Sequence, residues 1–227
     1  MSQNTKDLYG HKLSAIDGDI GHVKDFYFDD KSWVIRYLVV DTASWLPGRL
    51  VLLSPHGFDR WDQSSKTLHV RLTKKQIEES PSIESHKSVS RQYEIDYYRH
   101  YGWPVYWNGG AMWGLGGFPT VMPPPISEAA SRLHHHRDDK HLQSTLAVTG
   151  YKIQTAAGLI GELSGFLVND RSWEITRLIV ETGHWYSGKE IIVAPAQVER
   201  ISYEESKVFV NLSNAEAMER PQYSRQT

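Results

Sequence analysis

Two segments of this chain carry residue types that could do chemistry. The first is LHHHRDDKH, in which imidazoles and carboxylates cluster: His134, His135, His136, Asp138, Asp139 and His141. Neutral imidazole and carboxylate groups are ligands for zinc and nickel. A preformed tetrahedral zinc site takes its ligands from separated pairs, and this run has none. We interpret the segment as a solvated link; the alternative is a metal site with the ligands His134, His135, His136, Asp138 and His141.

The second segment is aromatic, and reads SVSRQYEIDYYRHYGW and then PVYWNGGAMWGLGGFPTVMPPP. Tyrosines spaced i, i+4, i+8 predict a short helix near 90–101, which Gly102 and Pro104 end. Tyr and Trp are enriched at interface hot spots. The candidate partner-binding residues are Tyr93, Tyr97, Tyr101, Trp103, Tyr106, Trp107 and Trp113. The alternative is that these rings cover the thin core of neighbouring small modules, and both interpretations stay open at this point.

Catalytic signatures are missing from the sequence. It contains no G-x-S-x-G elbow, no P-loop, no dinucleotide-binding glycine pattern and no H-E-x-x-H. The glycine pairs at 109–110 and 116–117 lie among aromatic residues, neither after a clear strand nor before a clear helix, so they do not predict a phosphate cradle. We therefore expect a non-enzymatic protein with no cofactor.

Composition excludes further classes. The formal net charge is −2 and the pI is near 6.6, so the chain lacks the cationic surplus typical of nucleic-acid binding. Cysteine is absent, which excludes disulfides and thiolate chemistry. The N-terminus shows no signal-peptide pattern, and no apolar run reaches the roughly 18 to 20 residues of a membrane span. We expect a cytoplasmic location and no transmembrane segment.

A tandem duplication organises the chain and positions both segments. Residues 18–81 align without a gap to residues 158–221, with about 19 of 64 pairs identical. Identical pairs include Ile20-Gly21 with Ile160-Gly161 and Ser32-Trp33 with Ser172-Trp173. The sequence predicts a module at 8–82, a connector at 83–147 and a second module at 148–222.

The sequence pattern of each repeat predicts a series of short β-strands. The period-2 alternation slips by one residue near Lys24-Asp25 and again near Ser164-Gly165, which predicts a β-bulge in both copies. The runs 33–40 and 173–180 are apolar at nearly every position, as in a central strand covered on both faces. Gly48 and Gly188 supply a loop residue tolerant of positive φ. Alternation at Leu68, Val70 and Leu72, repeated at 208, 210 and 212, predicts a strand with one wet face.

A short helix is expected to end each repeat. Thr73-x-x-Gln76 and Ser213-x-x-Glu216 have the spacing of a capping box, in which a hydroxyl accepts from the N3 amide and the N3 side chain reaches back. Pro81 and Pro221 then end the helices.

These residues resemble the PRC-barrel family, which includes the cytoplasmic barrel of the photosynthetic reaction-centre H subunit and a domain of ribosome-maturation factors. The resemblance rests on IGHVKDFYFDDKSWVIRYLVVDTASWLPGRLVLLSP and LTKKQIEESP in the first repeat. In the second it rests on GLIGELSGFLVNDRSWEITRLIVETGHWYSGKEIIVAP and LSNAEAMERP. It implies a mainly β protein of two small antiparallel PRC-type β-barrels that serve as docking surfaces and have no catalytic residues.

The resemblance leaves several functions open. Our first hypothesis is a protein-interaction or scaffold module with a protein partner of unknown identity. The alternatives are an H-subunit-like or membrane-peripheral accessory, a ribosome-assembly accessory, and a binder of small ligands or carbohydrates through the aromatic insert. Self-association into a homo-oligomer is a further expectation, because small barrels leave sheet edges to cover.

Overall fold

The computed structural model of the protein is mainly β, with two seven-stranded mixed sheets and a few short helices. It describes residues 2–42, 45–46, 49–81, 89, 91–107, 109–114, 116–119, 142–183 and 189–223. The strands are β1 Ser2–Asn4, β2 Lys12–Ala15, β3 Gly18–Asp29, β4 Val34–Asp41, β5 Leu50–Leu53, β6 Phe58–Asp62, β7 Thr67–Val70, β8 Leu142–Ser144, β9 Lys152–Thr155, β10 Gly158–Asn169, β11 Ile175–Thr182, β12 Glu190–Val193, β13 Val198–Ser202 and β14 Lys207–Val210. The α-helices are α1 Thr5–Leu8, α2 Lys74–Glu78, α3 Arg91–Tyr101, α4 Thr145–Val148 and α5 Asn214–Glu219.

The chain forms two compact units. One contains residues 9–142 and is called the repeat-1 unit; the other contains residues 1–8 together with 143–227 and is called the repeat-2 unit. The strands and helices of the first repeat recur in the second at nearly the same residue offset as in the sequence alignment. The structural repeat begins before the aligned residues, because β1 has its counterpart in β8. A single 3₁₀ turn separates β5 from β6 at Pro55–Gly57 and β12 from β13 at Pro195–Gln197.

The path through the first sheet runs in the strand order β5-β4-β3-β2-β7-β6. Consecutive strands pair antiparallel, whereas β2 and β7 pair parallel. The second sheet repeats this order as β12-β11-β10-β9-β14-β13, with a parallel pair between β9 and β14. Each sheet is therefore mixed, where the sequence predicted an antiparallel one: the last hairpin of each repeat returns beside the first strand, and that placement makes the two strands run in the same direction.

The N-terminal strand belongs to the sheet of the second repeat. Ser2–Asn4 of β1 pairs antiparallel with residues 167–169 of β10. Side chains of the following turn continue the attachment, since the amide of Phe166 donates to Thr5 Oγ1 at 3.3 Å and Lys6 Nζ donates to Ser164 Oγ at 3.2 Å. The residues just before the first repeat in sequence thus stabilise the second one.

The predicted bulges and capping boxes are confirmed. The register of β3 against β4 shifts between Val23 and Asp25, and that of β10 against β11 shifts between Leu163 and Gly165. Thr73 and Ser213 accept from the N3 amides of α2 and α5, and the N3 side chains reach back to the N-cap amides. The alternation at 68–72 and 208–212 also gives strands with one buried face. Gly48 and Gly188 lie outside the described residues.

Close backbone approach explains why one glycine pair recurs. A Cβ atom on Gly21 would lie 1.9 Å from the carbonyl oxygen of Asp41, and one on Gly161 would lie 2.1 Å from that of Glu181. Both distances are far below van der Waals contact, so only glycine allows the long strand to run this close to its neighbour. The strand pairing of both sheets depends on this position. Among the described residues, no helix has the length and apolar character to cross a membrane.

Candidate interaction surface

The described part of the connector packs against two strands of the first sheet. Its helix α3 and the following aromatic segment contact β4, β5 and the 3₁₀ turn after β5. The contact residues on the sheet side, here named the repeat-1 face, are Arg36, Tyr37, Leu52, Ser54, His56 and Gly57. All six are buried.

A buried carboxylate joins the helix to the sheet. The hydroxyl groups of Tyr37 and Tyr106 donate to Glu94 Oε1 at 2.9 and 2.7 Å, and Glu94 is fully buried. Burial raises the pKa of Tyr37 well above its ordinary value, and the nearby Glu94 adds to the rise. Tyr37 is consequently a neutral hydrogen-bond donor, and its bond to Glu94 attaches the connector to β4.

Tyr97 satisfies the backbone at the end of β5. The amide of Ser54 donates to Tyr97 Oη at 2.8 Å, and the same hydroxyl donates to the carbonyl of Leu52 at 3.1 Å. The ring is fully buried and meets the Tyr37 ring edge-on at 5.3 Å. Because buried polar backbone groups must find partners, this hydroxyl supplies hydrogen bonds to both backbone groups at the end of β5.

Arg36 and His56 hold the segment that follows α3. The guanidinium of Arg36 donates to the carbonyl of Met112 at 2.7 Å and lies over the Tyr106 ring at 3.8 Å. The His56 ring contacts those of Trp103 and Trp113 at centroid distances of 5.8 and 5.1 Å. Cation–π and edge contacts of this kind add to the area buried by the rings.

The predicted partner-binding residues divide by burial. Tyr97, Trp103, Tyr106 and Trp113 are buried in the repeat-1 unit, and Tyr93, Tyr101 and Trp107 are half-buried. Burial raises the pKa of Tyr101 to about 12. The buried rings form part of the core of this unit, so a ligand could stack on them only if the connector opened.

The same positions in the second repeat are accessible. The equivalent set, here named the repeat-2 face, consists of Thr176, Arg177, Ile192, Ala194, Ala196 and Gln197. Arg177 and Ala196 are exposed and the other four are half-buried. The sequence predicted that both central strands are covered on both faces; this is confirmed for β4 and wrong for β11, whose positions 176 and 177 reach solvent.

Sequence reasoning missed Arg36, His56, Glu94 and the whole repeat-2 face. One signal was available, because the repeats differ at all six face positions while Pro55 and Pro195 beside them are identical. The candidate metal ligands His134, His135, His136, Asp138 and His141 lie outside the described residues. Within the described ranges, no three His, Asp or Glu side chains converge as a metal site would require.

A scan against protein-family models finds no matching family, and a search of curated proteins finds no significant relative.

Proposed function

We propose that the protein is a non-enzymatic, cytoplasmic protein-interaction module of two PRC-type β-barrels, and that the repeat-2 face is its docking surface. The observation that carries the proposal is the contrast between the two faces. Six positions that are buried in one repeat are exposed or half-buried at the aligned places of the other. A duplicated surface that binds a segment of its own chain in one copy is suited to bind a foreign segment in the other.

The composition of the repeat-2 face supports this use. Ile192, Ala194 and Ala196 offer apolar side chains that are accessible to solvent, and Arg177 adds an exposed guanidinium. Interfaces combine such apolar contacts with arginine and bury them together. The barrel interpretation rests on the resemblance and on the bulged long strands, because bulges bend a sheet toward closure.

Site-specific photo-crosslinking tests the proposal. The crosslinker p-benzoyl-phenylalanine is placed at Ala196 in the protein expressed in its native host, and at the exposed Glu204 as a matched control. We expect a covalent adduct with a defined protein from position 196 that is absent from position 204. Adding Ala194→Arg should abolish the adduct while the melting temperature stays close to that of the parent.

The opposite results would count against the docking surface. Equal adducts from both positions would indicate nonspecific contact, and no adduct from position 196 would indicate that nothing binds there. An adduct that persists with Ala194→Arg would place the contact elsewhere.

A further inference from the structure

The occupied repeat-1 face shows what an occupant must supply. Helix α3 offers one carboxylate, Glu94, to the hydroxyl of Tyr37, and one hydroxyl, on Tyr97, to the backbone at the end of β5. The first contact fixes the helix to β4, and the second satisfies Ser54 N–H and the Leu52 carbonyl. Each requirement can be examined separately at the repeat-2 face.

Arg177 of the second repeat is a stronger hydrogen-bond donor toward a carboxylate than Tyr37, its counterpart in the first repeat. Tyr37 pairs with Tyr27 in the first sheet, and Arg177 pairs with Leu167 at the equivalent register of the second. Arg177 is exposed, and its guanidinium donates to the neighbouring Thr176 carbonyl at 2.6 Å. A guanidinium presents five donors and takes carboxylates in a bidentate geometry. If a partner covered it without a carboxylate, the buried charge would lack a counterion.

The second repeat does not need a partner hydroxyl at the place of Tyr97. The amide of Ala194, which corresponds to Ser54, donates to Gln197 Oε1 at 3.2 Å. The carbonyl of Ile192, which corresponds to that of Leu52, accepts from the guanidinium of Arg220. Both backbone groups that need Tyr97 in the first repeat are thus paired within the second. An aliphatic side chain at the place of Tyr97 would bury apolar area without leaving its own polar group unpaired.

The charges at this end of the sheet favour an acidic partner. Arg177 neighbours Ala194, because Leu178 pairs with Val193. Glu181 and Glu190 are backbone register partners four residues farther along these strands, about 13 Å from Arg177 at the rise of a β-strand. This end of the face therefore carries the guanidinium of Arg177, and that of Arg220 lies close enough to Glu216 to contribute to lowering the pKa of its carboxyl.

We infer that the repeat-2 face binds an amphipathic helix of a partner protein that presents one Asp or Glu toward Arg177 and aliphatic residues three, four and seven positions later. This spacing is that of Glu94 to Tyr97, Tyr98 and Tyr101 on α3, with the tyrosines replaced by Leu, Ile or Met. Binding of an apolar helix face in a groove is a common mode of recognition. The inference rests on the proposed docking function and specifies its partner.

A designed peptide tests the inference on the full-length protein. The probe has the sequence of residues 90–102 with Tyr97, Tyr98 and Tyr101 replaced by Leu, a lactam bridge on its outer side to stabilise the helix, and a fluorescent label. Binding is followed by fluorescence anisotropy. The matched peptide carries Gln at the place of Glu94. We expect it to bind at least about 10-fold more weakly, since it removes one charge-assisted pair.

Charge exchange on the protein identifies the contact. Arg177→Glu should weaken binding of the Glu94-containing probe at least about 10-fold, and a probe with Arg at the place of Glu94 should bind this variant better than it binds the parent. Arg171→Glu, the same charge change at an exposed turn position, should leave binding unchanged. Equal binding of the Glu and Gln probes, or equal effects of the two protein variants, would overturn the inference.

Combining the two experiments separates the two failures. An adduct at position 196 without binding of the Glu94-containing probe would be consistent with the docking function. It would refute the inference that the partner is a helix with an acidic residue. An adduct joining two copies of this chain would identify the occupant as a second copy and would also refute it. If neither an adduct nor probe binding is found, both proposals fail.

Discussion

Tyr97→Phe measures how strongly the connector is attached to the first sheet. The substitution keeps the ring and removes one hydroxyl, which pairs with Ser54 N–H at 2.8 Å and the Leu52 carbonyl at 3.1 Å in a fully buried position. An unpaired buried donor costs about 1–3 kcal/mol, and a carbonyl that loses one of its acceptor interactions costs less. We expect the free energy of unfolding of the repeat-1 unit to fall by about 2–4 kcal/mol.

Urea denaturation followed by tryptophan fluorescence is a suitable assay, because six of the eight tryptophans lie between residues 9 and 142. At a slope of roughly 2 kcal/mol per M urea, the midpoint should fall by about 1–2 M. The matched control is Tyr93→Phe, whose hydroxyl donates to the Pro81 carbonyl at 3.1 Å from a half-buried position. Water can replace that bond, so the control should lose less than about 1 kcal/mol.

Equal losses in the two variants would refute the reasoning. They would mean that the Ser54 amide finds another partner, or that burial of the ring matters and the hydroxyl does not. A loss below about 0.5 kcal/mol for Tyr97→Phe would have the same meaning.

Three further predictions address pH, backbone contact and the N-terminal residues. Burial raises the pKa of Tyr37 and Tyr97 above the ordinary value of 10.0, so the unfolded chain releases these protons first. The stability of the repeat-1 unit should be intact below about pH 10 and fall as pH rises, and tyrosinate absorbance from these two buried rings should appear only on unfolding. Gly161→Ala should destabilise the repeat-2 unit by about 3 kcal/mol in thermal unfolding, whereas Gly183→Ala, with open space at its Cβ, should cost less than about 1 kcal/mol. Leu8→Ala, at a buried position, should cost about 2–5 kcal/mol and raise hydrogen exchange in residues 143–223 rather than in 9–81; the reverse pattern would contradict the assignment of α1.

Local features were readable from the sequence because their causes are local. The bulges near residues 24 and 164 follow from a slip in side-chain alternation, which only one extra residue in the strand can produce. The capping boxes at Thr73 and Ser213 follow from two side chains three residues apart. The repeated glycine at 21 and 161 marked a special position, but the reason, a carbonyl of the neighbouring strand, required the sheet itself.

The candidate site could be predicted only in part. The clustered rings of the connector were visible, yet composition alone does not say whether Trp103 or Trp113 lies in a core or on a surface. Arg36 and Arg177 occupy neighbouring positions of equivalent strands, and nothing in the residue type distinguishes the buried arginine from the exposed one. Their burial depends on whether a segment distant in sequence covers the strand.

The sequence by itself determined that one strand pattern occurs twice, where its bulges and helix caps fall, and which segment is aromatic, because alternation, capping and composition act between residues a few positions apart. The tertiary structure alone decided that β1 joins the sheet of the second repeat, that a parallel pair completes each sheet, and that the described part of the connector covers the repeat-1 face. These are pairings between residues far apart in the chain. They depend on which sheet edges and faces meet in space, and the periodic pattern of a sequence does not specify this.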